Sequence, residues 1–496
     1  MHISKIFSSP HLNFAAASLL IVAPWLNPIA TGPTPAVIPL LFSWLCAAAL
    51  LFLQQPPRAR LVTNAWLCAG LLSCGIGLLQ YFNIGESLSP WINQARVGEA
   101  FANLRQRNQF ATLTSIGLLA LLWIASNGSW QHGLYRIVGQ MAAALLGIGN
   151  AASSSRTGLL QLALIGLMLG FWGGLRLTPP RRLLFSAILA YAAATIFLPL
   201  LLGFELGASG ILARLRDAGP ACASRITLWT NVMQLIAEKP WLGWGWGELD
   251  FAHFVTLYPG ARFCEILDNA HNLPLHLAVE LGIPIALAIC GTGLWLVWRE
   301  RPWAERHPTR QLAWGVLAVI LLHSMLEYPL WYGPFQMAFA LSILMLWLTP
   351  PLRGVDPVAV SFSVSAKPLF GLSALISIRC VAAFLMVFTA YAAWDYYRVS
   401  QIYLAPIARG EAYRINTLAK IKGSWLFRDQ VQFAELTTTA LNAENAASLN
   451  AIAHELLHFS PEARVVEKLI DSASLLGRVD EVEYFKARYR AAFAAQ

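Results

Sequence analysis

The sequence predicts an all-α, polytopic membrane protein with a polar helical domain at its C-terminal end. Three observations lead there. Of 496 residues, 57% are hydrophobic and 12% charged, and the mean hydropathy is +0.55. That is about half the charge of an ordinary soluble chain. Glu86 and Glu99 are the only acidic residues before position 200, so no aqueous surface can be built from that half. Apolar runs of roughly 17 to 25 residues recur, the length a helix needs to cross a bilayer.

Read by run length, candidate spans fall at about 13–30, 36–53, 61–81, 109–126, 134–151, 157–175, 183–203, 271–298, 311–326, 334–349 and 371–393, eleven in all. The first lacks a small-residue cleavage site and reads as an uncleaved span, not a signal peptide. Orientation follows from the short loops. Lys5, Arg58 and Arg60, Arg136, Arg176, Arg181 and Arg182, Arg299 to Arg310, Arg353 and Lys367 fall in alternate loops, which are then cytoplasmic. The loops near 82–108, 152–156, 204–270 and 327–333, and the tail, lie on the opposite side. The net charge of +9 is thereby topological. No basic cluster with interleaved aromatics suggests nucleic acid.

The chain divides at 394/395. Residues 1–394 form the membrane domain, with its large external loop at about 204–270. The tail, 395–496, holds 12 of the 26 acidic residues and no run long enough to span. Val466, Leu469, Ile470, Ala473 and Leu476 recur at helical spacing, with Ser460 as the expected N-cap, Pro461 at the first position and Gly477 as the stop. Leu449, Ile452 and Leu456 mark the preceding helix. Helical hairpins of tetratricopeptide style fit this length. Seven cysteines show no metal-like spacing. Cys222 and Cys264 both fall in the external loop, where an oxidising compartment allows a disulfide.

Five polar sets collect on the external side. "NLRQRNQF" puts Arg105, Gln106, Arg107 and Asn108 just before a span, a natural anion site of guanidinium forks and free backbone N–H groups. "SSSRTGLL" opens another span with Arg156, costly unless paired or facing water. Arg225 and Trp229 precede "PWLGWGWGE", whose tryptophans fit an interface belt. In "AHNLPLHLAVELG", His271 and Gly282 are eleven apart, about three turns, and are expected on one face of a continuous helix, with Gly282 admitting a neighbouring backbone. His276 and Glu280 form a second stripe; a satisfied interhelical hydrogen bond is the bland alternative. In "HSMLEYPLWY", His323 and Glu327 are four apart and Tyr328 follows. No cluster recommends a metal. Arginines mixed with His, Tyr and Glu on one face suit an anionic leaving group and a hydroxyl acceptor. A transporter would show charge at mid-membrane, in broken helices or inverted repeats.

These motifs, in this order, resemble the O-antigen ligase superfamily. Within it, "HSMLEYPLWY" and the helical tail look most like bacterial protein O-oligosaccharyltransferases of the PglL, or pilin-glycosylating, type. The resemblance is closest over roughly residues 100 to 345. It implies a GT-C-like membrane glycosyltransferase in the bacterial inner membrane, with its N-terminus in the cytoplasm and its active site and tail in the periplasm. The implied partners are a glycan on undecaprenyl pyrophosphate and an acceptor protein, such as a type IV pilin, modified on Ser or Thr. The superfamily's His-x10-Gly pattern falls on His271 and Gly282, its Arg-x3-Leu pattern on Arg156 and Leu160, and the pilin-type tyrosine on Tyr328.

The chemistry needs a base for the hydroxyl, positive charge for the pyrophosphate and groups that orient the sugar. His271 is the expected base, with Glu280 the alternative. Arg156 and Arg225 are expected on the pyrophosphate, with Arg105 and Gln106 assigned there by local pattern. Tyr328 and Glu327 are expected to orient the sugar. Direct displacement inverts configuration and requires no cofactor. The rivals are an O-antigen ligase acting on lipid A-core, an O-antigen polymerase and, from another class, a lipid-linked glycan transporter.

Overall fold

The computed structural model describes residues 10–53, 59–127, 133–205, 207, 210–216, 220–352 and 372–493. Of the orientation pattern, Lys5, Arg58, Arg353 and Lys367 lie outside the described residues. Among the described residues there are helices and turns and no strand. The first seven apolar runs form α1 (Pro10–Leu26), α2 (Val37–Phe52), α3 (Ala59–Tyr81), α4 (Arg107–Asn127), α5 (Gly133–Ala152), α6 (Arg156–Phe171) and α7 (Thr178–Leu201). The long segment after α7 contributes α8 (Gly210–Arg216), α9 (Arg225–Glu238) and α10 (Leu249–Val255). Next come α11 (Leu273–Leu281), α12 (Ile283–Glu300), α13 (Pro308–Ser324), α14 (Gly333–Leu348) and α15 (Leu372–Ser400).

The chain is a helical membrane protein. Ala59–Tyr81, Arg107–Asn127, Thr178–Leu201, Ile283–Ala304 and Ile376–Tyr403 are long and apolar enough to cross a bilayer. Asn13–Leu26, Val37–Phe52, Arg156–Phe171 and Gly333–Leu348 are apolar but shorter. The core gathers Trp25, Trp66, Tyr81, Phe110 and Phe335, all fully buried. Helix α4 is its central member, buried at every residue from Gln109 to Leu122. Several of its buried polar groups pair with neighbouring helices, as an apolar interior favours. The Ser115 hydroxyl donates to Gln161 Oε1 at 3.1 Å, and Asn150 Nδ2 donates to Thr114 Oγ1 at 3.0 Å. Because α4 is central, the residues at its start, Gln106 to Asn108, stand in the middle of one end of the helix bundle.

The run expected as one helix over 271–298 is broken. Gly282 separates α11 from α12 with φ +85° and ψ 160°, a conformation open essentially to glycine. The "PWLGWGWGE" segment passes directly beneath. A Cβ on Gly282 would lie 2.2 Å from the Trp241 carbonyl oxygen. Ile283 N–H donates to the Pro240 carbonyl at 2.8 Å, and Trp244 N–H to that of Val279 at 2.9 Å. His271 therefore does not share a helix face with Gly282. It sits ahead of α11, itself at φ +50°. Gly282→Ala combines a forbidden dihedral with a backbone clash, so it should destabilise the protein by at least ~2 kcal/mol. Thermal unfolding in detergent, beside Gly260→Ala where a Cβ meets open space, checks this.

A disulfide joins Cys222 to Cys264, with Cα atoms 5.3 Å apart, and so ties the approach to α9 to the segment leading into His271. Helix α15 runs without a break through the 394/395 boundary. Beyond it lie α16 (Thr417–Ile421), α17 (Arg428–Thr438), α18 (Ala446–Leu457), α19 (Ala463–Leu475) and α20 (Val479–Phe493). Leu449, Leu456, Val466 and Leu469 lie in the core shared by α17 to α20, while Ile421 of α16 packs with Val399 and Val431. The cap of α19 is Glu462, not Ser460, because the chain stays extended through Glu462 at ψ 157°. Gly477, at φ +71°, follows the helix end. The tail docks on α10. Phe254 stacks at 6.5 Å on Phe485, and His458 Nδ1 lies 2.7 Å from the Glu248 carboxylate.

Candidate active site

Helix α13 ends at Ser324, and one further turn sets the Glu327 N–H on the His323 carbonyl at 2.8 Å. That turn aims the Glu327 carboxylate at the start of α4, where four side chains meet it. His271 Nδ1 lies 2.8 Å from Oε2, and Arg225 Nη2 2.8 Å from Oε1. Gln106 Nε2 donates to Oε2 at 3.3 Å and Asn108 Nδ2 to Oε1 at 3.2 Å. The side chain of Glu327 is 10% exposed. Burial by itself would raise its pKa. The His271 hydrogen bond and the charges of His271 and Arg225 outweigh it and hold the carboxyl below the usual range. An ionised carboxylate only accepts, so His271 carries its proton on Nδ1 and leaves Nε2 as the acceptor when neutral.

The loop before α11 fixes that imidazole. His271 N–H donates to Asn269 Oδ1 at 2.8 Å, and Asn272 Nδ2 to the Met325 carbonyl at 3.2 Å, binding this loop to the turn that carries Glu327. Tyr328 presents an edge-on ring to His271, 5.2 Å between centroids, and stacks on Tyr332 at 6.0 Å. Burial, with neighbouring negative charge, pushes the Tyr328 hydroxyl far above its ordinary value, so it stays protonated and can donate.

A second branch leaves Glu327 through Asn108. Asn108 Oδ1 accepts from the Ser155 hydroxyl at 2.6 Å, and Ser155 caps α6, whose first residue is Arg156. Arg156 Nη2 bonds the Arg214 carbonyl, while Arg214 Nη1 donates to the Ser154 carbonyl at 3.0 Å. Arg214 is half-buried. Burial and then the charges of Arg107, Arg156 and Arg225 lower its pKa, with Glu327 acting the other way. Four guanidiniums thus gather near one carboxylate, Arg107 pairing with Glu99. Such a group attracts a multiply charged anion.

Of the residues singled out in the sequence, the structure joins Glu327, His271, Arg225, Gln106 and Tyr328 directly, and Arg156 through Ser155 and Asn108. Gln106 donates from Nε2 to the Glu327 carboxylate. Arg105 stands apart, donating to the Pro28 carbonyl at 2.6 Å, with Tyr332 its nearby titratable group. Glu280 also stands apart. It is buried beneath the "PWLGWGWGE" segment against His276 at 3.5 Å. Burial raises its pKa to about 7 and lowers that of His276 to about 4. Arg214 was not singled out by sequence. Its one signal is that it falls in a loop the arginine pattern assigns to the side where arginine is disfavoured.

Comparison with known proteins falls on the same segments. Residues 141–290 match the family described as O-antigen ligase, residues 100–125 that described as protein glycosylation ligase, and residues 311–496 that described as virulence factor membrane-bound polymerase, C-terminal. The first holds Arg156, Arg225 and His271, and the last holds Glu327, Tyr328 and the tail. A ComP-specific O-oligosaccharyltransferase of Acinetobacter baylyi is 28% identical over 48% of this chain and 42% of its own length. A general O-oligosaccharyltransferase of the same organism is 24% identical over 59% of this chain and 51% of its own. The chain thus matches about half the length of these relatives. Its similarities are to glycosyl-transferring enzymes, protein O-oligosaccharyltransferases of the O-antigen ligase superfamily.

Proposed function

We propose that the chain transfers a glycan en bloc from undecaprenyl pyrophosphate to a Ser or Thr hydroxyl of a periplasmic protein such as a type IV pilin. The observation that carries this is the carboxylate–imidazole–guanidinium centre of Glu327, His271 and Arg225, set beside the Arg156 and Arg214 group. The acceptor hydroxyl gives its proton to His271 Nε2 as its oxygen attacks the anomeric carbon. The bond from that carbon to the pyrophosphate breaks on the opposite side, and its electron pair leaves with the pyrophosphate. Configuration is inverted in one step. Arg156, Arg214 and Arg225 meet the departing charge, which preorganised donors stabilise best in a water-poor site. Glu327 holds the Nδ1 tautomer and stabilises the imidazolium. The Tyr328 hydroxyl orients the sugar. The displacement calls for no cofactor.

Eleven membrane crossings, with a cytoplasmic N-terminus in the bacterial inner membrane, are part of this proposal. They follow from the loop arginines and would put the Glu327 centre and the tail in the periplasm. The consecutive helices α18, α19 and α20, each packed on the next, support a tetratricopeptide-style domain that holds the acceptor. The disulfide agrees with an oxidising compartment.

The test is transfer by the purified protein, in vesicles, from a lipid-linked glycan to purified pilin, read as a mass increase. Transfer to pilin is expected. Transfer to lipid A-core alone would make the chain a ligase of the other kind, and movement of the lipid-linked glycan across the vesicle without transfer would make it a transporter.

A further inference from the structure

Beside Glu327, between α1, α2 and α14, lies a cleft of about 260 Å³ to which the mechanism above assigns nothing. Four prolines, the Tyr332 ring, the amides of Asn27, Gln106 and Gln109, and the Arg105 guanidinium line it. We propose that this cleft holds the first sugar of the lipid-linked donor, the one whose anomeric carbon is transferred. The inference rests on the transfer reaction proposed above and names a subsite of it.

Its lining has the chemistry of a polyhydroxylated ring. The amides both donate and accept, the guanidinium donates in a fixed fork, and the Tyr332 and proline faces offer flat apolar surface to ring C–H groups. None of its lining residues is acidic, so it does not suit a cation. Position says more. The two branches from Glu327 diverge. Asn108 leads through Ser155 to Arg156 and Arg214, whereas Gln106 reaches from Glu327 into the cleft wall. Tyr332 forms another part of that wall and stacks on Tyr328, which meets His271 edge-on. A sugar in the cleft would present its anomeric carbon to His271 with its pyrophosphate toward the arginines.

Arg105 adds an independent mark. Its backbone is left-handed at φ +62°, which a side-chain-bearing residue rarely adopts, and its guanidinium is half-buried. Among the described residues it forms no ion pair; its bond is to a backbone carbonyl. Strain and desolvation together are retained where a ligand offsets them. Its separation from the arginine group also removes it from the pyrophosphate.

Three variants test the cleft. Arg105→Gln and Tyr332→Leu each remove one contact. Ala36→Trp, on the rim, fills the cleft without removing a side-chain hydrogen bond, and so reports even if the first two fold poorly. Affinities for glycan-bearing and glycan-free undecaprenyl pyrophosphate are measured in vesicles, beside the KM for acceptor protein. Each variant should weaken glycan-bearing donor by about tenfold or more, the scale of one charge-assisted bond. Glycan-free lipid and acceptor KM should be unchanged. Equal weakening of both lipids would mean that the cleft takes the pyrophosphate, and a raised acceptor KM that it takes the peptide. Either result overturns the proposal, as does a wild type with no preference for the glycan-bearing lipid. A wild type with that preference but no transfer to any protein counts against the proposed function and not against the cleft.

Discussion

Glu327→Gln should lower the rate of glycan transfer by about 10³–10⁴-fold while leaving donor affinity within about tenfold of wild type. The carboxylate accepts from His271, Arg225, Gln106 and Asn108 at once. Glutamine keeps the shape but replaces one accepting oxygen with an NH₂ group. Wherever that group points, two donors face each other. If it faces His271, the imidazole must move its proton to Nε2, and the atom needed as base becomes a donor. If it faces Arg225, the guanidinium loses its counter-charge. Both outcomes act on turnover more than on donor binding, because Arg156 and Arg214 reach the pyrophosphate through the other branch. Single-turnover transfer, with donor affinity measured separately, reads the two effects apart. Near-normal turnover in Glu327→Gln would remove the carboxylate from the reaction and leave it a structural anchor for the α13 end.

The same carboxylate sets a pH dependence. Its folded pKa lies below the ordinary value, so its contribution to stability is fully present above the usual carboxylate range. It is lost as pH falls through the folded value. Glu327→Gln should therefore lower stability near neutrality, where that contribution is fully present, and flatten the acid limb, so that unfolding curves of the two proteins converge below the folded value.

Much of this was legible in the sequence because membranes restrict what a chain can do. Most apolar runs are helices within a few residues of their expected bounds, since lipid leaves the backbone no other partner; the run over 271–298 is an exception. His271 and Glu327 declared themselves as polar groups at the lips of apolar runs, and Arg225 by its place one helical turn before Trp229 ahead of "PWLGWGWGE". Three things were hidden. The break at Gly282 is made by Pro240 to Gly245, some forty residues earlier in the chain, and no local pattern reveals a long-range backbone contact. The central place of Glu327 depends on α4 being the buried middle helix, which puts Gln106 and Asn108 over it. Arg214 belongs to a seven-residue helix whose sequence, "GILARLR", carries no periodic signal of its own. Its role comes from Ser154 and Arg156, contributed by α6.

His271→Asn should nearly eliminate transfer, by about 10²–10⁴-fold in turnover, while the protein inserts, folds and binds the lipid-linked donor. Asparagine is the better probe here than alanine. His271 stands at φ +50°, and asparagine tolerates the left-handed region where a residue with an apolar side chain is strained. A loss seen with asparagine is then a loss of the imidazole, not of the loop. The alternative base makes the opposite forecast. Glu280 is 1% exposed, faces His276 and is packed beneath the Gly243–Gly245 backbone, so no acceptor hydroxyl reaches it without opening that contact. Glu280→Gln should leave turnover within a few-fold of wild type. Its effect should fall on stability, since a buried pair loses one partner. A dead Glu280→Gln beside an active His271→Asn would move the base to the carboxylate, and with it the reacting hydroxyl away from the Glu327 centre.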